Sequence, residues 1–104
     1  MNWKDKNKQQ LITSLLELQT RDEAQRFLRD LMTESEIEEF SKRFEAAQLL
    51  TQNVPYSQII IKTGLSSTTV ARVSKWLNGD LEGYKTIINR LHHHTNPQSG
   101  SGMS

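Results

Sequence analysis

The chain has 104 residues and no cysteine, and its 13 lysines and arginines against 12 aspartates and glutamates give a formal net charge of +1. This length fits one domain with a modest core, and the lack of cysteine excludes disulfides and thiolate zinc sites. No apolar run approaches the ~20 residues of a membrane span, and the first ten residues lack a secretory apolar segment, so we expect a cytoplasmic protein without membrane association.

Three helices are predicted in the first half of the chain. The first runs from about Asp5 to Leu18, where leucines recur three and four residues apart on a face broad enough to meet either the core or another subunit. The second and third begin with capping boxes, in which a glutamate follows a threonine by three residues. These pairs are Thr20 with Glu23 and Thr33 with Glu36. Apolar residues in one stripe continue the third helix to about Gln52.

The stretch from Pro55 to Leu77 has the pattern of a helix-turn-helix. Ile59 and Val70 are expected to be buried between its two helices, and Gly64 to take the left-handed backbone conformation at the turn. A plain helical hairpin inside an all-α core is the alternative interpretation of the same pattern.

The outward face of the second helix of this motif is hydroxylic near its start and basic further along. Ser66 or Ser67 is expected to cap the helix. The outward residues are Ser67, Thr68, Ala71, Arg72 and Lys75. Such a face suits a DNA major groove, with phosphates held from the sides. The three cations of residues 53–79 include Lys62, and because three charges bind phosphate weakly, two copies side by side are favoured.

After this motif, Asn78 and Gly79 are expected to end the helix, and Asp80 to cap a last helix that carries Leu81. The tail is rich in proline, glycine and serine. We therefore predict one helical domain at residues 1–94, with the helix-turn-helix at about 55–78, and a disordered tail at 95–104. The three consecutive histidines at 92–94 cannot face one ion from a regular helix, although a fraying end could bring two of them to a metal; we predict no metal site and no cofactor.

The segments LMTESEIEEFSKRFEAAQLL and YSQIIIKTGLSSTTVARVSKWL, at residues 31–50 and 56–77, resemble the bacterial Trp repressor family. LNGDLEGY, which follows, is similar to the YerC/YecD subgroup. The resemblance implies an all-α fold of about six helices and an intertwined homodimer that reads double-stranded DNA at a palindromic operator. It also implies that Ser67, Thr68 and Ala71 approach base edges, with Thr69 near phosphate.

The same resemblance points to a possible ligand pocket. Arg43 and Arg72 match the two arginines that sandwich the corepressor in the family's tryptophan-responsive member. Val73 stands where that member has a glycine, and Trp76 where it has a serine. We expect these larger side chains to occupy the ligand's space, so that tryptophan is not needed as a corepressor. Either the arginines line a pocket for another small ligand, or Arg43 pairs with a glutamate of its own helix and Arg72 with DNA phosphate.

The predicted function is therefore sequence-specific DNA binding that regulates transcription, most simply as a repressor, by a homodimer. One alternative is a protein-interaction module that uses the helix-turn-helix to dock a partner, and another is a regulator that responds to a different small ligand. An enzyme is not expected, because the sequence shows no nucleophile–base pair, metal cluster or phosphate-binding loop.

Overall fold

Residues 1–95, which the computed structural model describes, form six α-helices and no strand. The helices are α1 (Lys6–Leu16), α2 (Arg21–Leu31), α3 (Glu34–Thr51), α4 (Tyr56–Thr63), α5 (Ser67–Leu77) and α6 (Gly83–Thr95). The predicted all-α fold of about six helices is confirmed for this part of the chain. The predicted disordered tail lies outside the described residues, apart from Thr95, which ends α6.

Contacts between residues divide the chain into two compact units, Met1–Ile37 and a second that begins at Glu38. The organisation of residues 1–94 as one domain therefore stays a prediction. No helix of the described residues is both long enough and apolar enough to cross a membrane.

In the first unit, side chains cap the helices as their local sequence predicts. Thr20 Oγ1 accepts from the Glu23 N–H at 3.1 Å, and Glu23 Oε1 accepts from the Gln19 N–H at 2.9 Å. At α3 the box is reciprocal, because Thr33 and Glu36 each accept from the other's backbone N–H, at 3.1 and 2.9 Å. These bonds satisfy N–H groups that have no partner inside the helix.

The second unit has a core that α3, α4, α5 and α6 share. On α5, valines and a leucine three and four residues apart form one buried face. The buried apolar residues of the unit are Ala46, Ala47, Ile59, Leu65, Val70, Val73, Leu77 and Ile88. The predicted burial of Ile59 and Val70 is confirmed, and this core leaves the opposite face of α5 exposed.

The start of α6 differs from the prediction, since the helix begins at Gly83 and Asp80 does not cap it. Residues 78–81 form turns and a bend, and Glu82, which follows them, has a φ of 56°, a left-handed conformation that a regular helix cannot contain. The first backbone bond of α6 joins the Thr86 N–H to the Glu82 carbonyl at 3.0 Å. Leu81, predicted to be part of this helix, instead lies in the turn before it and is 92% exposed.

Candidate nucleic-acid interface

The turn between α4 and α5 has the backbone that a helix-turn-helix requires. Gly64 has a φ of 75°, and its N–H donates to the Ile60 carbonyl at 2.9 Å, which ends α4. The hydroxyl of Thr63 donates to the Ile59 carbonyl at 2.7 Å and accepts from the Leu65 N–H at 3.2 Å. The left-handed conformation predicted for Gly64 is thus confirmed, and the buried Thr63 hydroxyl adds a link across the turn that the sequence pattern does not indicate.

The start of α5 is fixed by Ser66, which decides between the two serines that the sequence offered as caps. Ser66 Oγ accepts from the Thr69 N–H at 3.1 Å and donates to Thr69 Oγ1 at 3.0 Å. Ser67 is consequently the first residue of the helix and is exposed. Because the Thr69 hydroxyl accepts from Ser66, its own proton can be directed to another acceptor.

The seven predicted DNA-binding residues lie on one connected region of the helix-turn-helix. Six are exposed, and the seventh, Thr69, is half-buried beside the cap. The exposed six are Lys62 on α4 and Ser67, Thr68, Ala71, Arg72 and Lys75 on α5. Val70, Val73 and Leu77 occupy the buried face of the same helix. The structure therefore presents a surface with hydroxyls, methyl groups and three cations, while contact of these residues with DNA stays a prediction.

The four residues of the predicted ligand pocket are divided between three environments. Val73 is fully buried in the core, and Arg72 lies on the exposed face of α5. Arg43 and Trp76 are brought together, with the guanidinium carbon 5.8 Å from the centroid of the indole ring. This distance allows a cation–π interaction.

Two residues of α3 hold the Arg43 side chain. Its guanidinium carbon lies 5.4 Å from the centroid of the Phe40 ring, and its Nε lies 3.2 Å from Glu39 Oε2. The Glu39 ion pair is the contact that one of the two hypotheses for Arg43 predicts. The spacing of Phe40 and Glu39 from Arg43, three and four residues along one helix, was a signal in the sequence for both contacts. Spacing along one helix gives no signal for Trp76, which lies on α5; the family resemblance alone placed it at one pocket with Arg43.

Beside Trp76 is a surface hollow of about 340 Å³, lined by Trp76, Leu81, Gly83 and Tyr84. The Tyr84 ring also packs on Phe44, with centroids 6.3 Å apart. Burial raises the pKa of the Tyr84 phenol, and the positive charge of Arg43 partly offsets this rise. The Tyr84 hydroxyl therefore stays protonated at neutral pH. The described residues contain no group of three or more potential metal ligands close enough together to hold an ion.

Comparison with known proteins shows the family to which the chain belongs. The family model described as Trp repressor protein matches residues 6–92. YerC, an uncharacterised protein of Bacillus subtilis strain 168, is 35% identical over 82 residues, which are 79% of each chain.

Two solved structures are similar over nearly the whole chain. One is a TrpR-like protein from Eubacterium eligens, with 38% identity and a TM-score of 0.81 over 86% of this chain and 93% of that one. The other is a candidate Trp repressor from Staphylococcus aureus, with 29% identity and a TM-score of 0.82 over 92% of this chain and 99% of that one. On the match of residues 6–92 and these similarities, the chain belongs to the Trp repressor family, in the subgroup of YerC.

Proposed function

We propose that the protein is a sequence-specific DNA-binding regulator that represses transcription by occupying a palindromic operator as a homodimer, without tryptophan as corepressor. The observation that carries the proposal is the exposed face of α5, which follows a well-formed helix-turn-helix turn. Membership of the Trp repressor family supports DNA-dependent regulation as the general activity.

The chemistry of the α5 face fits a DNA major groove, which at about 12 Å wide admits an α-helix. The Ser67 and Thr68 hydroxyls can donate to or accept from base edges, and the Ala71 methyl group can contact a thymine methyl group. Arg72 and Lys75 follow on the same exposed face and are suited to phosphate. Residues 53–79 contain no acidic side chain that would repel the DNA backbone.

The homodimer is supported by apolar side chains that remain uncovered within one chain. Neither α1 nor α2 contains a buried residue. Leu16 is 79% exposed, and Leu11, Leu15 and Leu31 are also exposed. Uncovered leucines in this number are typical of surfaces that meet another chain. Two chains would also present two copies of α5 to the half-sites of a palindrome and double the positive charge per complex.

Independence from tryptophan is supported by Val73 and Trp76. The Val73 side chain is fully buried in the core, and the Trp76 ring already contacts the Arg43 guanidinium. A second indole would therefore have to displace side chains that already make these contacts. We expect operator affinity to be the same with and without added tryptophan, as measured by fluorescence anisotropy of labelled DNA. A tenfold or larger increase in affinity on adding tryptophan would contradict this part of the proposal.

Selection from a random pool of double-stranded DNA tests the proposal as a whole. We expect a palindromic sequence to be enriched, and recovery of no preferred sequence would contradict sequence-specific binding. With the enriched site, Thr68→Ala should reduce the preference at one base position, because it removes a hydroxyl near the base edges. Lys75→Ala should weaken binding to all sequences and reduce the magnitude of the salt slope by about 0.9 for each phosphate that is no longer neutralised.

The matched control is Lys85→Ala. It removes the same charge from α6, a helix that contributes none of the predicted DNA-binding residues. We expect its salt slope to equal that of the wild type. An equal reduction for Lys75→Ala and Lys85→Ala would show that overall charge, and not the α5 face, determines binding.

A further inference from the structure

The position of α5 depends on contacts of two kinds. Within residues 1–95, the close backbone approaches between helices are those of α4 with α5 and of α5 with α6. The contact of α5 with α3 is made by side chains, through the shared core and through the pair of Arg43 and Trp76. The long Arg43 side chain therefore links two helices whose backbones do not approach closely.

The core and the arginine contact constrain α5 in different ways. Burial of Val70, Val73 and Leu77 sets which face of α5 meets the core, but apolar burial is non-directional, so it opposes small rotations that keep these side chains covered only weakly. A planar guanidinium against an aromatic ring is directional, and it acts at the end of long side chains, away from the helix axis. Rotation of α5 would move every side chain on its exposed face, including Thr68 and Lys75.

The Arg43 side chain is well placed to restrain such a rotation. Its Nε is 3.2 Å from Glu39 Oε2, one helical turn earlier, and its guanidinium also lies over the Phe40 ring. Both partners are on α3, so the guanidinium is already oriented by its own helix before it meets the indole. Trp76 lies in the last turn of α5 and is 48% exposed, with part of its ring covered by this contact.

We propose that Arg43 is a positioning residue for DNA recognition: its guanidinium, oriented by Glu39 and Phe40, stacks on Trp76 and fixes the rotation of α5. This inference rests on the proposed DNA-binding function. Arg43 acts through Trp76 and makes no contact with DNA itself.

The first experiment needs no DNA and uses amide hydrogen exchange in the full-length protein. Arg43→Met keeps most of the side-chain length without the cation, and Trp76→Ala removes the ring. We expect each to speed exchange of α5 amides about two- to fivefold, the range for a partly exposed cation–π contact, with smaller changes in α4. The double variant should exchange about as fast as the faster of the two single variants, because both substitutions remove the same interaction.

Two matched controls separate loss of the contact between Arg43 and Trp76 from loss of any arginine ion pair or any indole. Arg26→Met breaks another arginine–carboxylate pair with four-residue spacing, Arg26 with Asp22 at 2.8 Å, and Trp3→Ala removes the other indole of the chain. Neither should change exchange in α5. Trp76→Phe keeps an aromatic ring, so its α5 amides should exchange at close to the wild-type rate. If Trp76→Ala does not fold, Trp76→Phe and Arg43→Met still provide the comparison. The proposal is overturned if the rate increases of the two single variants multiply in the double variant. It is also overturned if Arg43→Met leaves the exchange of α5 amides unchanged.

The second experiment measures binding to the selected DNA site and to unrelated DNA. Arg43→Met should weaken binding to the selected site about two- to fivefold, leave binding to unrelated DNA unchanged and keep the wild-type salt slope. A salt slope reduced by about 0.9 would mean that Arg43 contacts a phosphate directly and would overturn the positioning role. If the wild type selects no DNA sequence, the proposed function fails, while the hydrogen-exchange comparison still decides whether Arg43 and Trp76 fix α5.

Discussion

The hydroxyl of Thr63 accepts a hydrogen bond from the backbone N–H of Leu65 at 3.2 Å and so closes the turn between α4 and α5. Thr63 is only 5% exposed, and its hydroxyl also donates to the Ile59 carbonyl at 2.7 Å. One buried side chain thus satisfies two backbone groups.

Replacement of Thr63 by valine should lower the free energy of unfolding by about 1–3 kcal/mol, because a buried N–H loses its partner while the shape of the side chain is kept. Urea unfolding followed by circular dichroism measures this change. Thr63→Ser retains the hydroxyl and serves as the control for the hydrogen bond. Equal stability of the wild type and Thr63→Val would show that the bond contributes nothing.

Gly64→Ala should destabilise the protein by about 1–2 kcal/mol through the backbone alone. The φ of Gly64 is +75°, yet an added Cβ would meet no heavy atom within 4 Å, so steric contact adds no further cost. Gly83 has the same open space without a left-handed φ. Gly83→Ala should therefore not destabilise, and thermal unfolding of both variants gives the comparison. Equal losses at the two positions would exclude the left-handed conformation as the cause.

Two isoleucines on α4 provide a matched pair of substitutions. Ile59 is fully buried, whereas Ile61, two residues later, is 82% exposed. Ile59→Ala should cost about 2–5 kcal/mol, through lost apolar burial and the cavity that remains. Ile61→Ala should change stability by about 0.5 kcal/mol or less. Denaturant unfolding measures both stabilities. Similar stabilities of the two variants would contradict the described core.

The stabilisation that Glu36 gives to the start of α3 depends on pH. Its carboxylate accepts from the backbone N–H of Thr33, and this bond, with a smaller contribution from the Thr33 hydroxyl, lowers the pKa of Glu36. Because the pKa is lower in the folded state, the stabilisation is full above the ordinary glutamate pKa. It is lost as the pH falls from that value through the folded-state pKa.

Glu36→Gln should therefore reduce the stability difference between neutral and acidic pH. Urea unfolding across the acid range, with Glu34→Gln as a variant that loses the same charge in the same turn, measures this effect. We expect the curve of Glu36→Gln to be flatter than that of Glu34→Gln. Identical curves would argue against a role for the capping bond.

Features with local causes could be predicted from the sequence. The starts of α2 and α3 depend on a threonine and a glutamate three residues apart, and the turn at Gly64 depends on one residue without a Cβ. The exposed positions of Thr68 and Lys75 follow from helical periodicity on either side of the buried Val70 and Val73. Each of these signals lies within a few residues of the structure that it predicts.

Features that depend on packing or on unusual backbone could not be predicted in the same way. Glu82 has a left-handed conformation that the presence of a glutamate does not indicate. Because of this conformation, α6 begins only at Gly83. The contact between Arg43 and Trp76 joins helices that are separated by α4 and two turns, so no spacing along one helix reveals it. The bridging role of Thr63 likewise depends on its burial, which single-helix periodicity does not specify.

The order of helices in the second unit has a consequence for the rate of folding. The close approaches of α4 with α5 and of α5 with α6 join neighbours in the sequence, so only short loops have to close. Such a low contact order is typical of helical domains that fold in about a millisecond or less. After transient unfolding, the surface of α5 can therefore re-form from one short, continuous piece of chain, with little time for its apolar residues to associate with other unfolded molecules.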